Sequence, residues 1–443
     1  METPLVIMSV LVVVIIYGVI LNNLRTGKYD LLSWRNVFIM GFAQFYGFGT
    51  YYTITLRYGS DIYVAGPEGL LKLFLAIPFF LILLAICFKI GERWKNFGKY
   101  IPALRLPVTD PGIVIATLLL VAAGIVASAL PMVSYLNVLI VQIRGGMAGT
   151  AAGLATYYLI ARKFNPIAWM LFGLVVVSAM LVGMVGETGR RGLLGVLMGI
   201  AWMWWYYALR HNSLGSKMVK LGSIGAVTFV CIMLYASFRG EGGNTSADGG
   251  FSLSMRAQQI TEFAKNPMIQ KNAILNMMGS DAPTDTMFIM ENYPNSFEYQ
   301  YFNGALFFLS NPIPRYLWPG KPIGMGKMVQ EQLGTPANLG VGILGHGWAE
   351  GGWFGIATYA IFFGILIGAL DRLIRERSWN PYFVAAIGAN LGNVFGLARG
   401  ETSLFLLLVV SGFIGAVVVL YGAKMVFGPI MAFSYTHLRA HET

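Results

Sequence analysis

Residues 345–370 read GHGWAEGGWFGIATYAIFFGILIGAL. A histidine and a glutamate four apart precede two glycines, and from Trp353 an uncharged apolar run continues to Leu370. A bilayer-crossing helix needs about 20 such residues, so this run reads as a membrane span. The glycine pair marks its outer mouth. Behind it, residues 238–352 form the only long polar segment of the chain, and almost everything else is oily.

Composition agrees with that reading. Of 443 residues, 56% are hydrophobic and 12% charged, with a mean hydropathy of +0.64. Soluble domains carry about 25% charged residues. The expected fold is therefore an all-α polytopic membrane protein, and the short alternating strands of a β-barrel are not seen in the sequence. A net charge of +11 would suggest nucleic acid in a soluble chain. In a membrane chain it reflects the cationic bias of cytoplasmic loops, so no nucleic-acid partner is expected. Cys87 and Cys231 both fall in apolar runs and read as small core residues. With four histidines and no Cys/His cluster, neither a metal nor a cofactor is expected.

About eleven apolar segments can be drawn, at 5–21, 36–55, 69–88, 112–130, 147–161, 167–185, 193–208, 221–237, 353–370, 382–398 and 403–421. The first lacks a basic leader and a cleavage site and reads as a retained helix. The fifth starts near Tyr135, with Arg144 at or inside its mouth. Gly41, Gln44, Gly47, Asn390 and Asn393 make the second and tenth segments polar enough to face other helices or a water-filled cavity. Eight spans thus occupy residues 1–237, an extracytoplasmic loop occupies 238–352, and three more spans occupy 353–422. Residues 434–443, SYTHLRAHET, read as a non-native, adapter-derived tail.

Lys and Arg gather in alternate loops: Arg25, Lys28 and Arg35; Lys89 to Arg105; Arg162 and Lys163; Arg210 to Lys220; Arg372 to Arg377. The bias sets the N-terminus outside and the C-terminus, as given, inside. The long loop then lies outside and contains expected short helices: an amphipathic one over 251–265, another from an N-cap at Thr284 to Glu291, and an interfacial or re-entrant one over 301–309.

Chemistry concentrates on that outer face. Arg144, Arg190, Arg191, Arg239, Arg315 and Arg399 are placed there against the charge bias, so something should hold them. Guanidinium binds phosphate bidentately and stays charged when desolvated, although Glu187, Glu241 and Glu401 are near enough in sequence to pair with some of them. In Pro314-Arg315-Tyr316-Leu317-Trp318-Pro319-Gly320-Lys321-Pro322, prolines stiffen a loop that carries two cations and two aromatics. Aromatic faces suit sugar rings and the cations suit phosphate, while an interfacial anchor is the plainer alternative. His346 and Glu350 share a helical face and are the candidate catalytic base, with Glu241 and Glu401 as further carboxylates. No Asp-x-Asp, Walker or dinucleotide fingerprint is present.

These motifs, with Gly189-Arg190-Arg191-Gly192 and Arg399-Gly400-Glu401-Thr402-Ser403, resemble those of the Wzy-type O-antigen and oligosaccharide repeat-unit polymerases. The layout, many spans with one large late loop, is similar too. The resemblance implies a metal-independent glycosyltransferase at the periplasmic face of the bacterial inner membrane. It would pass a glycan from undecaprenyl pyrophosphate to the next lipid-linked repeat unit. Arg190, Arg191, Arg315, Lys321 and Arg399 would hold phosphates or sugars, and Arg239 and Trp318 join them as expected substrate-binding residues. The expected partners are lipid-linked oligosaccharides, the membrane and, in some systems, a chain-length regulator protein. An O-antigen ligase-like transferase and a flippase for lipid-linked oligosaccharide stand as alternatives.

Overall fold

The computed structural model describes residues 1–27, 29–56, 63–129, 137–184, 190–237, 261–268, 270–271, 281–335 and 339–432. Among these residues the structure is helical, with no strand. Five helices are long and apolar enough to cross a membrane: Glu2–Thr26, Pro67–Arg93, Asp110–Ser128, Gly342–Glu376 and Thr402–Ala432. Among the described residues the expected count of about eleven is not confirmed, and two of the expected segments are interrupted. Segment 36–55 is split into α2 (Trp34–Phe42), a π-helical stretch (Ala43–Phe48) and α3 (Gly49–Thr55). Segment 382–398 breaks near Ala389 and Asn390 into α14 (Pro381–Gly388) and α15 (Leu391–Gly396).

The remaining elements in chain order are α1 (Glu2–Thr26), α4 (Pro67–Arg93), α5 (Asp110–Ala129), α6 (Asn137–Ala161), α7 (Pro166–Met184), α8 (Arg190–Trp204), α9 (Leu214–Ser237), α10 (Ala282–Asn292), α11 (Asn303–Ser310), α12 (Met325–Leu333), α13 (Gly342–Glu376) and α16 (Thr402–Ala432). Glycine lets the long helices approach closely. Gly364 and Gly368 of α13 lie on Leu84 to Glu92 of α4, and Gly91 of α4 meets Ile365 in return. Residue numbers rise together along this contact, so α4 and α13 run parallel. Gly146 of α6 meets Gly412 of α16 in the same backbone-to-backbone manner. Small residues at such crossings are how helices associate where no hydrophobic drive separates protein from solvent.

At one end of the bundle, side chains stitch the connections together. Asp371 accepts the backbone N–H groups of Trp34 (2.7 Å) and Arg35 (3.2 Å). Arg377 donates to the carbonyls of Gly98, Ile101 and Pro102, and Asn380 to those of Ala103 and Leu104. The loops that the Lys and Arg pattern groups on one side thus meet at one end. The opposite end gathers the start of α4, residues 281–335 and 339–353, and the turn before α16.

Two local expectations change. Thr284 is not an N-cap: α10 begins at Ala282 with Pro283 in its first turn, leaving Thr284 buried within the helix. Proline at a first helical position needs no N–H partner, so it sets the start earlier. The amphipathic helix expected over 251–265 lies outside the described residues except for 261–265, which are helical. The short helix expected over 301–309 is present as α11. Residues 434–443 lie outside the described residues.

Candidate functional site

The site is created by a chain reversal. Gly351 and Gly352 leave helical geometry inside α13, and Gly352 has φ +59°, a conformation that costs a side-chain-bearing residue about 1–2 kcal/mol. The segment 342–350 therefore folds back along 353–360. In a continuous helix His346 and Tyr359 would lie about 20 Å apart along the axis; here His346 Nδ1 is 2.6 Å from Tyr359 Oη. Gly347 and Gly355 face each other across the fold, where a Cβ on Gly355 would collide with the Gly347 carbonyl oxygen. The start of the folded-back segment is pinned by Tyr46 in the π-helical stretch. Its hydroxyl accepts the Leu344 N–H (3.1 Å) and pairs with Thr286 Oγ1 of α10 (3.0 Å).

His346 is wholly buried between two carboxylates. Its Nε2 lies 3.3 Å from Glu401 Oε1, and its Nδ1 lies 3.5 Å from Glu350 Oε1. Tyr359 Oη donates to Glu350 Oε1 at 3.0 Å. With that single proton committed, the contact between Tyr359 Oη and Nδ1 requires the ring to donate. The contact with Glu401 calls for a donor as well; burial lowers the His346 pKa, but the bond to Glu401 and the charges of Glu401 and Glu350 outweigh it and raise it, which favours a ring protonated on both nitrogens.

Each carboxylate also receives a helix N-terminus. Glu350 Oε1 accepts from Gly304 N–H of α11 (2.5 Å). Glu401 accepts from Met325 N–H (2.8 Å) and Gly326 N–H (3.1 Å) of α12. Anionic groups are favoured there by the unpaired N–H groups and the helix dipole. Burial alone would raise the Glu401 pKa; the bond to His346, its positive charge and the two N–H groups prevail and hold it below the usual value.

A second pair lies alongside. Arg399 Nε and Nη2 both lie 3.0 Å from Asp281 Oδ1. Glu401, near enough in sequence to pair with Arg399, is engaged by the N-terminus of α12 and by His346. One helical turn beyond Asp281, Asp285 is wholly buried, with no side-chain partner for either oxygen. Burial, then the neighbouring Asp281 charge, push its carboxyl well above the usual range; the Gly340 N–H and Arg399 offset only part of this.

The proline-rich stretch is laced by its own cations. Arg315 donates to the carbonyls of Lys321 (3.0 Å) and Pro322 (3.2 Å), while Lys321 Nζ donates to those of Asn311 (2.7 Å) and Ile313 (2.9 Å). Burial, and Arg315 beside it, lower the Lys321 pKa. Tyr316, Leu317 and Trp318 remain exposed. The end of this stretch is fastened to the site, since Asn303 Nδ2 donates to Ile323 O (3.1 Å) and Glu401 then takes the next N–H groups.

Among the expected site residues, His346 and Glu350 are brought together, and Arg399 lies two residues from Glu401. Arg315 and Lys321 hold the loop attached there. Arg190 and Arg191 open α8; their side chains, and all of Arg239 and Glu241, lie outside the described residues. Arg144 is buried in α6. Sequence reasoning missed Tyr359, Tyr46, Asp281 and Asp285. The Gly351-Gly352 pair was the available signal for Tyr359, and the four-residue spacing of Asp281 and Asp285 for α10. Against protein-family models, curated proteins and solved structures, the chain has no match.

Proposed function

We propose that this chain is a polysaccharide polymerase of the bacterial inner membrane. It joins undecaprenyl-pyrophosphate-linked repeat units at the periplasmic face without a metal. One observation carries the reading: Met325 and Gly326, three and four positions after Pro322, are hydrogen-bonded to Glu401, two positions beyond Arg399 and against the His346–Glu350 helix. Two motifs distant in sequence thereby meet, one rich in exposed aromatics and one with a half-exposed arginine.

In the proposed reaction Glu350 accepts the proton of an acceptor-sugar hydroxyl, and that oxygen bonds to the donor's anomeric carbon. The bond from that carbon to the pyrophosphate oxygen breaks, and the lipid pyrophosphate leaves with the electron pair. Arg399 moves from Asp281 to the departing phosphate, whose growing charge its guanidinium fork stabilises. His346 is a positioning residue that orients Glu350 and Glu401. Tyr316 and Trp318 offer faces to sugar rings.

The test is complementation of a polymerase-null strain with its cognate glycan pathway. Glu350→Gln and Arg399→Lys are expected to leave single repeats on lipid where the parent chain gives a ladder. A full ladder from both variants overturns the assignment. Loss of all decorated lipid, with polymer still made on undecaprenyl pyrophosphate, identifies a ligase instead.

A further inference from the structure

A second site lies about 18 Å along α4 from Lys72, whose ammonium sits over the ring of Trp348 between His346 and Glu350 in sequence, counting from Lys72 to Leu84 at 1.5 Å per residue. There α1, α2, α4 and α13 enclose a cleft of about 220 Å3. Its floor is Phe38, Leu84 and Phe88, and its mouth is Ile15, Val19 and Ala85, which face outward. The cleft exists because α1 is held against the bundle further along. Gly47 receives Val13 and Ser9 there so closely that a Cβ would collide. The volume falls short of the roughly 300–1,000 Å3 of a whole small-molecule pocket. Its shape, open along its length towards the apolar exterior of α1 and α4, suits part of a hydrocarbon chain.

One end of this cleft is cationic. Arg35 and Lys89 line it. Around them, Lys89 and Arg375 share Glu92, at 2.7 and 2.8 Å. Asp371 is engaged by the Trp34 and Arg35 backbone N–H groups. Arg35 stacks over the Tyr29 ring at 4.1 Å. Arg35, Lys89 and Arg375 thus face Glu92 and Asp371, an excess of one positive charge, and the Lys89 side chain is 53% exposed. An apolar cleft that ends in uncompensated positive charge matches one molecule class, an amphiphile with a hydrocarbon chain and an anionic head.

We infer that this cleft binds one acyl chain of an anionic glycerophospholipid, with its phosphate at Lys89 and Arg35. The inference rests on the reading of the chain as a membrane protein and not on the glycosyl transfer. One net cation near a membrane surface favours an anionic head about fivefold over a zwitterionic one.

The test uses the full chain in nanodiscs of phosphatidylcholine with one-fifth phosphatidylglycerol, in which either lipid carries a photoreactive acyl chain. Per mole of photoreactive lipid, phosphatidylglycerol is expected to label residues 15–19 and 81–89 about fivefold more than phosphatidylcholine does. Lys89→Gln should bring the two lipids level. Ala85→Trp, which fills the mouth, should abolish labelling there but not on α16. Equal labelling by both lipids, or labelling spread evenly over all outward helix faces, overturns the inference, as does competition by a polyprenyl phosphate, which would assign the cleft to a substrate tail. Crosslinks from 15–19 to a second copy of the chain overturn it too. Ladder formation in Ala85→Trp is read separately: its loss leaves the labelling result standing, and its retention leaves the polymerase reading standing. A chain released from membranes by alkaline carbonate would refute the common premise of both.

Discussion

Replacing His346 with glutamine removes the positive charge between Glu350 and Glu401 while keeping one donor. Both carboxylates stay almost enclosed, with side-chain exposures of 9% and 12%. Breaking a buried ion pair from one side costs about 3–5 kcal/mol. The lower end applies, because Glu401 keeps two backbone N–H donors and Glu350 keeps one. A loss of about 3 kcal/mol shifts the local opening equilibrium roughly a hundredfold, at 1.4 kcal/mol per factor of ten. The loosened elements are the starts of α11 and α12, on either side of the proline-rich stretch. Amide hydrogen exchange in nanodiscs reads this directly: Gly304, Met325 and Gly326 should exchange about a hundredfold faster in His346→Gln, while α16 keeps its protection. Unchanged exchange at these three amides in a folded variant would refute the reasoning, because His346 would then not hold the carboxylates that hold them.

Acidification should loosen α12 through Glu401. Its folded pKa is depressed, so its stabilising contribution is complete above the ordinary value of about 4.3 and is lost as pH falls through the lower folded value; protection at Met325 should follow that course, and Glu401→Gln should flatten it. Asp285 has the opposite sign. Its folded pKa is raised, so its carboxyl reduces stability progressively as pH rises above about 3.9; Asp285→Asn should be more stable than the parent at pH 8 and equal to it near pH 3, read by thermal unfolding in detergent. Asp281→Asn releases Arg399 and should lower the KM for lipid-pyrophosphate donor, whereas Arg399→Lys should lose most turnover with the loss of fork geometry; an unchanged KM in Asp281→Asn counts against the proposed exchange of partners. Arg315→Ala removes two bonds across the proline-rich stretch and should speed chymotryptic cleavage after the exposed Tyr316 several-fold.

Helical class and the polar segment were legible because they depend on composition over long windows. An apolar run such as 353–370 needs no neighbour to identify it. The reversal at Gly351-Gly352 was not legible, because the periodicity of 342–350 continues smoothly into the span and only the backbone breaks. That reversal decides the site. Without it His346 and Glu350 sit at the end of a straight helix, and Tyr359 is an unremarked residue in a span. Arginine was read by its sign alone, yet its partners depend on tertiary structure. Arg399 pairs with Asp281, which precedes α10 and is far away in sequence, and Arg315 turns to carbonyls of its own loop. Sequence proximity does not set these partners, and Glu401 is itself engaged by His346 and the α12 N-terminus.

That engagement also resolves an apparent conflict. An end of the molecule that carries Glu350, Glu401, Asp281 and Asp285 seems unsuited to a pyrophosphate. The partners remove the difficulty. The raised pKa of Asp285 favours its neutral form, Asp281 is matched by Arg399, and His346, whose pKa is also raised, answers one of the two glutamates when protonated. One negative charge remains, and it faces the N-termini of α11 and α12, each equivalent to at most roughly half a positive charge. The cluster is thus close to neutral before Arg315 and Lys321 are counted, and those two leave the proline-rich stretch cationic. The carboxylates shape the site by binding backbone N–H groups inward, and the field presented outward belongs to the guanidinium and ammonium groups. Changing Glu350 and Glu401 to glutamine together should therefore loosen α11 and α12 without strengthening anion binding at Arg399. A large gain in affinity for inorganic pyrophosphate in that double variant would show that the two charges reach the surface after all.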